Sequence, residues 1–139
     1  MFSNLWFALP NSILFRLLFL TRRTVDEPTG GLLLQQKWED MAAYLFSTIL
    51  RDMPKTERFS LGADIRALVW EVEDALVQLS LRAGNRWALL NLVDVKAKVL
   101  LSMIRLGINI NAIPQKRYGP VSEKLVEIGK IVGGLKKLR

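Results

Sequence analysis

From about Leu33 to Met53, apolar residues recur at Leu34, Trp38, Met41, Leu45, Phe46, Ile49 and Met53, and this spacing of three and four predicts an amphipathic helix. Pro54 ends it, because proline lacks an amide proton and disfavours helix in the residue before it. A second helix is predicted with Ser60 as N-cap, running to about Arg82 with Leu61, Ile65, Leu68, Val72, Leu76 and Leu79 on one face. Ala83, Gly84 and Asn85 then break the pattern. The third helix, from about Arg86 to Asn109, carries two apolar stripes. One is Leu90, Val93, Ala97, Leu100, Ile104 and Ile108; the other is Leu92, Val99, Met103, Leu106 and Ile110. One small bundle core needs a single stripe, so the second predicts a subunit interface. After a connection from Asn109 to Tyr118, a last helix starts near Pro120 and presents Val121, Leu125, Ile128, Val132, Leu135 and Leu138.

Helices of about 20 residues span roughly 30 Å, and short connections favour antiparallel neighbours. The predicted fold is therefore all-α, an up-down-up-down antiparallel four-helix bundle, with no strand pattern and no internal repeat. The bundle occupies residues 31–139. Residues 1–30 form an apolar extension and a linker, Asp26 to Gly31, rich in helix breakers. Met1 to Leu20 does not read as a signal peptide or membrane span. No basic residue precedes the apolar run, Pro10, Asn11 and Arg16 interrupt it, and Thr21-Arg22-Arg23 follows where small residues would mark cleavage. It reads as an extension packed on another surface, or as a translation start set too far upstream.

With 139 residues, half of them apolar, the chain has the material for one folded domain. It contains no Cys and no His, which removes thiolate and imidazole chemistry, disulfides and the usual transition-metal ligands. Glu71, Glu73 and Asp74 cluster, but helical di-metal sites use Glu-x-x-His pairs, so these acids read as a solvated face or ion pairs. Ser60, Ser80 and Ser102 have no imidazole base, and no phosphate-loop pattern is present. An enzyme is not expected, and no cofactor is implied. The absence of cysteine leans toward the cytoplasm.

The formal charge is +7, and the excess lies in the second half: from residue 84 onward there are eleven cations against three acids. Lys98, Ser102, Arg105 and Asn109 form a polar stripe on the third helix. Lys116 and Arg117 follow in the loop, and Lys130, Lys136 and Lys137 lie on the last helix. These seven cations are the candidate contacts to phosphates. An ordinary solvated face is the alternative. Arg58 and Arg66, flanked by acids, read instead as partners of Glu57, Asp64 or Glu71. Gly129 and Gly133, four apart on the last helix, fit either the close approach of a neighbouring helix or a frayed terminus.

Pro54 to Phe59 reads PKTERF and is followed by SLGADIR; Leu92 to Ile113 reads LVDVKAKVLLSMIRLGININAI; and the last helix reads YGPVSEKLVEIGKIVGGLKK. Over Leu34 to Arg139 these segments resemble the accessory variability determinant (Avd) proteins of diversity-generating retroelements. A related bundle family, encoded in intervening sequences of large-subunit ribosomal RNA genes, shares the turn but follows it with a stretch ending in Glu-Gly that is missing here. The resemblance implies a homopentameric barrel of four-helix protomers. Such a barrel binds the retroelement reverse transcriptase and RNA or DNA, and supports mutagenic cDNA synthesis and retrohoming without catalysis of its own. Two further readings stand beside it: a scaffold of the intervening-sequence type, and a membrane-anchored adaptor using residues 1–20.

Overall fold

The computed structural model describes residues 29–138. Helix α1 spans Thr29–Tyr44 and continues as a π-helical stretch, Leu45–Leu50; α2 is a single turn, Lys55–Arg58. Helices α3 (Leu61–Ser80), α4 (Arg86–Asn109) and α5 (Tyr118–Lys137) follow, with a 3₁₀ turn, Gln115–Arg117, before the last. No strand occurs among the described residues. The apolar run Met1–Leu20 and the start of the linker lie outside them. Gly30 and Gly31, expected in that linker, fall within the first turn of α1, where burial of the face that follows outweighs their poor helix propensity.

The four long helices enclose one core, with α1 packed on α3, α3 on α4, α4 on α5 and α5 back on α1. Leu34, Trp38, Met41, Leu45 and Ile49 fill it from the first helix and its continuation. Ile65, Val72 and Leu76 come from α3, Leu90, Val93, Leu100 and Ile104 from α4, and Val121, Ile128 and Val132 from α5. Among the described residues no polar or charged side chain is buried. Trp38, fully buried, donates its indole N–H to the Val69 carbonyl at 3.3 Å. One turn earlier on α1, Gln35 donates to Glu73 on α3 at 3.0 Å, so the partner position recedes as α1 advances. Lys37–Glu127 (3.0 Å) joins α1 to α5, and Lys96–Glu71 (3.1 Å) joins α4 to α3. No helix among the described residues is long and apolar enough to cross a membrane.

The helix ends follow local chemistry. Asn85 caps α4 by accepting the Ala88 amide at 2.9 Å. Ser60 sits at the expected start of α3, but its hydroxyl donates backward to the carbonyls of Thr56 (3.2 Å) and Glu57 (3.3 Å) and caps nothing. Arg58 forms none of the ion pairs its acidic neighbours suggest. Its guanidinium donates to the carbonyls of Met53 (3.0 Å) and Arg51 (3.4 Å), which the helix stopped by Pro54 leaves without amide partners. In the PKTERF turn the proline thus ends the helix and the arginine caps the carbonyls it leaves. The π-helical stretch was not foreseen; in it the Thr48 hydroxyl bonds the Tyr44 carbonyl at 2.5 Å, and the wider turn brings Ile49 and Leu50 into the core together. Helix α5 begins at Tyr118 rather than near Pro120, because a proline in the first turn gives up an amide that has no intrahelical partner there. Its last predicted apolar residue, Leu138, lies beyond the helix and is 56 % exposed.

Gly107 takes the buried place that the sequence pattern gives to Ile108. Its carbonyl accepts from the amides of Ala112 (2.8 Å) and Ile113 (3.1 Å), folding the α4–α5 connection back over α4, with Asn111 in the left-handed region at φ 62°. A β-carbon at Gly107 would stand 2.4 Å from Ile113 Cδ1 and 2.8 Å from its Cγ1. Gly107→Ala is therefore expected to destabilise the fold by about 1–3 kcal/mol, read as a lowered midpoint of urea unfolding.

Candidate functional site

Helix α4 is the element whose sequence exceeds the needs of one core. Leu92 and Met103 of its second apolar stripe are half-buried against the protomer's own interior, while Val99, Leu106 (52 % exposed) and Ile110 stand out in solvent. Val95, exposed between Leu92 and Val99 at the same spacing, completes a ridge along the outer side of the helix. A second apolar surface lies on the far side of α3. There Trp70 is largely exposed and packs its ring 6.4 Å from that of Phe46, with exposed Val77 two turns further on.

Next to the ridge, residues 87, 91, 94, 98, 102, 105 and 109 follow one another at steps of four and three, and so share one stripe of α4. Lys98 pairs with Asp94 at 3.0 Å, and Arg105 donates to Ser102 at 2.9 Å; both cations are exposed. From α5, half-buried Lys136 reaches across to Asn91 Oδ1 (3.1 Å) and Asp94 (3.5 Å) and lies 5.4 Å from the centre of the Trp87 ring. Lys98, Arg105 and Lys136 are thus brought onto one side of the bundle, along the α4–α5 seam. Lys137 and Lys130 are exposed on α5. Lys116 and Arg117 are held apart from them in the connection after α4, where Arg117 is 3.8 Å from Asp52. Gly129 and Gly133 have no neighbouring atom within 4 Å of a would-be β-carbon, so no other helix among the described residues occupies the space over them.

Two tryptophans that the apolar and charge patterns do not single out are exposed. Trp87 is 59 % exposed and Trp70 is 61 % exposed, unusual for a side chain that is mostly buried on average. The available signal for Trp87 was its place four residues before Asn91, on the polar stripe. Trp70 lies between the apolar positions of α3 and had no periodic signal.

The carboxylates fall into separate local contacts. Glu71 pairs with Lys96, and Asp74 accepts from Gln78 at 3.0 Å. Desolvation raises the Glu73 pKa above the ordinary glutamate value, the Gln35 hydrogen bond lowers it, and Glu39 adds to the rise through its charge and a side-chain hydrogen bond. A raised folded-state pKa means that the native protein holds this proton better than the unfolded chain, so the associated stability is present at acid pH and lost as pH climbs through the raised value. Glu73→Gln is accordingly expected to melt higher than the parent at neutral pH, with the difference closing below the ordinary glutamate range; thermal melts across pH test this.

A family model described as bAvd-like matches residues 32–138. No curated protein and no solved structure matches the chain.

Proposed function

The chain belongs to the bAvd-like family, and from that premise we propose that it is a non-catalytic accessory protein of a diversity-generating retroelement. In this reading it is an up-down-up-down bundle that assembles into a homopentameric ring, binds the element's reverse transcriptase in the cytoplasm, and engages RNA or DNA through its cations. The family match over nearly the whole described bundle carries the reading. The exposed ridge of α4 supports assembly: a closed ring is built head to tail, so each protomer must offer two different surfaces. The ridge of Leu92, Val99, Met103, Leu106 and Ile110 is one such surface, and the patch of Phe46, Trp70 and Val77 is suited to be the other. Lys98, Arg105, Lys116, Arg117, Lys130, Lys136 and Lys137 are the proposed contacts to nucleic acid or polymerase. Repetition around a ring would multiply a modest charge on each protomer into a continuous field.

Light-scattering mass, measured with and without a structured RNA at low and moderate salt, tests the proposal. A pentamer whose RNA affinity falls steeply with salt, and which co-purifies with the reverse transcriptase encoded beside it, is the expected result. A monomer or dimer indifferent to RNA and to the polymerase would overturn it in favour of a plain scaffold of the intervening-sequence type.

A further inference from the structure

We infer that Trp87 is a stacking platform for an unpaired base, and that the α4–α5 seam beside it binds single-stranded nucleic acid. The inference rests on the nucleic-acid reading above and assigns it a place and a strand type. Trp87 stands at the first turn of α4 and is the head of the stripe that carries Asn91, Lys98, Ser102 and Arg105. Most of its surface is open to solvent, and Lys136 approaches its ring. An indole that is more than half exposed and has a cation beside it is suited to a flat, electron-rich ring whose phosphate is anionic.

The surroundings carry the charge that such a ligand requires. Asp94 is the acid on this stripe, and it is shared by Lys98 at 3.0 Å and Lys136 at 3.5 Å, so the local balance stays positive before the exposed Lys137 is counted. Arg86 adds a further guanidinium beside Trp87, fixed by the carbonyls of Leu135 (2.9 Å) and Leu138 (3.0 Å). An aromatic ring embedded among cations separates this surface from the α4 ridge, where the exposed residues are aliphatic and no cation intervenes among them. Duplex nucleic acid buries its base faces within its own stack and could use only the cations; an unpaired strand can use the ring as well.

The test is fluorescence anisotropy with labelled oligouridylate and oligothymidylate of about 16 nucleotides, against a duplex of equal length, over a range of salt. Trp87→Ala is expected to weaken single-strand binding about tenfold or more, to leave duplex binding and the salt slope unchanged, and to keep the circular dichroism and scattering mass of the parent. Trp87→Phe restores most of the loss. Lys137→Gln lowers the salt slope and leaves the preference for single strands in place. Failure of the parent protein to bind any of the three probes would overturn this inference together with the nucleic-acid reading. Binding by the parent that Trp87→Ala does not weaken, or weakens equally for duplex, would overturn the stacking platform alone. If Trp87→Ala lost the assembly or the polymerase while keeping the oligonucleotides, Trp87 would be a protein contact and the inference would fall.

Discussion

Leu106→Asp is expected to reduce the scattering mass to that of a single 15.8 kDa chain without loss of helicity. The side chain is 52 % exposed in the protomer, so the substitution meets water there and leaves the core untouched. Inside an assembly built on the α4 ridge, the carboxylate would be desolvated with no cation in its apolar surroundings. Full burial of an unpaired acid costs roughly 4–7 kcal/mol, and even half of that weakens each interface by more than about tenfold. Ile104→Asp provides the contrast, because Ile104 is fully buried and the same charge there should unfold the protein. Light scattering and far-ultraviolet circular dichroism on the two variants separate interface from core. A Leu106→Asp protein that kept the parent mass would remove the ridge from the assembly.

Trp38→Ala should give the largest loss of stability of any single truncation in α1. The indole is wholly enclosed between α1 and α3, and its N–H is satisfied by the Val69 carbonyl. Truncation forfeits the buried area and leaves a cavity that rigid helices cannot close, costing about 3–5 kcal/mol. For a bundle of this size that is a fall in melting temperature of well over about 10 °C. Trp38→Phe keeps most of the volume and gives up the hydrogen bond, so it should fall between parent and alanine variant, about 1–2 kcal/mol below the parent. Equal losses for the two variants, measured by urea unfolding, would mean that the hydrogen bond rather than the volume dominates.

Much of the bundle was legible because burial on a helix leaves a period of three and four in the residue types. Leu34, Trp38, Met41, Leu45 and Ile49 announce α1 in this way, and Leu90, Val93, Ala97, Leu100 and Ile104 announce α4; all of them are buried. The limits of the reading came where periodicity has two meanings or none. Thr48 and Tyr44 carry no mark of the π-helical turn, which shifts the register by one residue and buries Leu50 alongside Ile49. Gly107 carries no hydrophobic signal, yet it is the residue that the loop through Ile113 requires. The ridge through Leu106 was visible as a surplus of apolar residues, since a second stripe exceeds one core. The cations were visible only as a tally along the chain. Their grouping depends on which helices adjoin: Lys136 meets Asn91 and Asp94 across the α4–α5 seam, while Lys116 and Arg117 belong to a separate connection. The family match covers nearly the whole of this bundle, whereas its charge is distributed residue by residue.

Arg86 bears on the end of α5. A terminal helical turn ordinarily frays, since its last carbonyls have no amide partners and nothing beyond them to hold the backbone. Here the first residue of α4 holds the carbonyls of Leu135 and Leu138, about 50 residues further along the sequence. The last turn of α5 cannot open without breaking both Arg86 contacts, which adds their cost to its fraying. Hydrogen exchange in the final turn should then be slower than in a helix end without such a clasp, and Arg86→Ala should speed it.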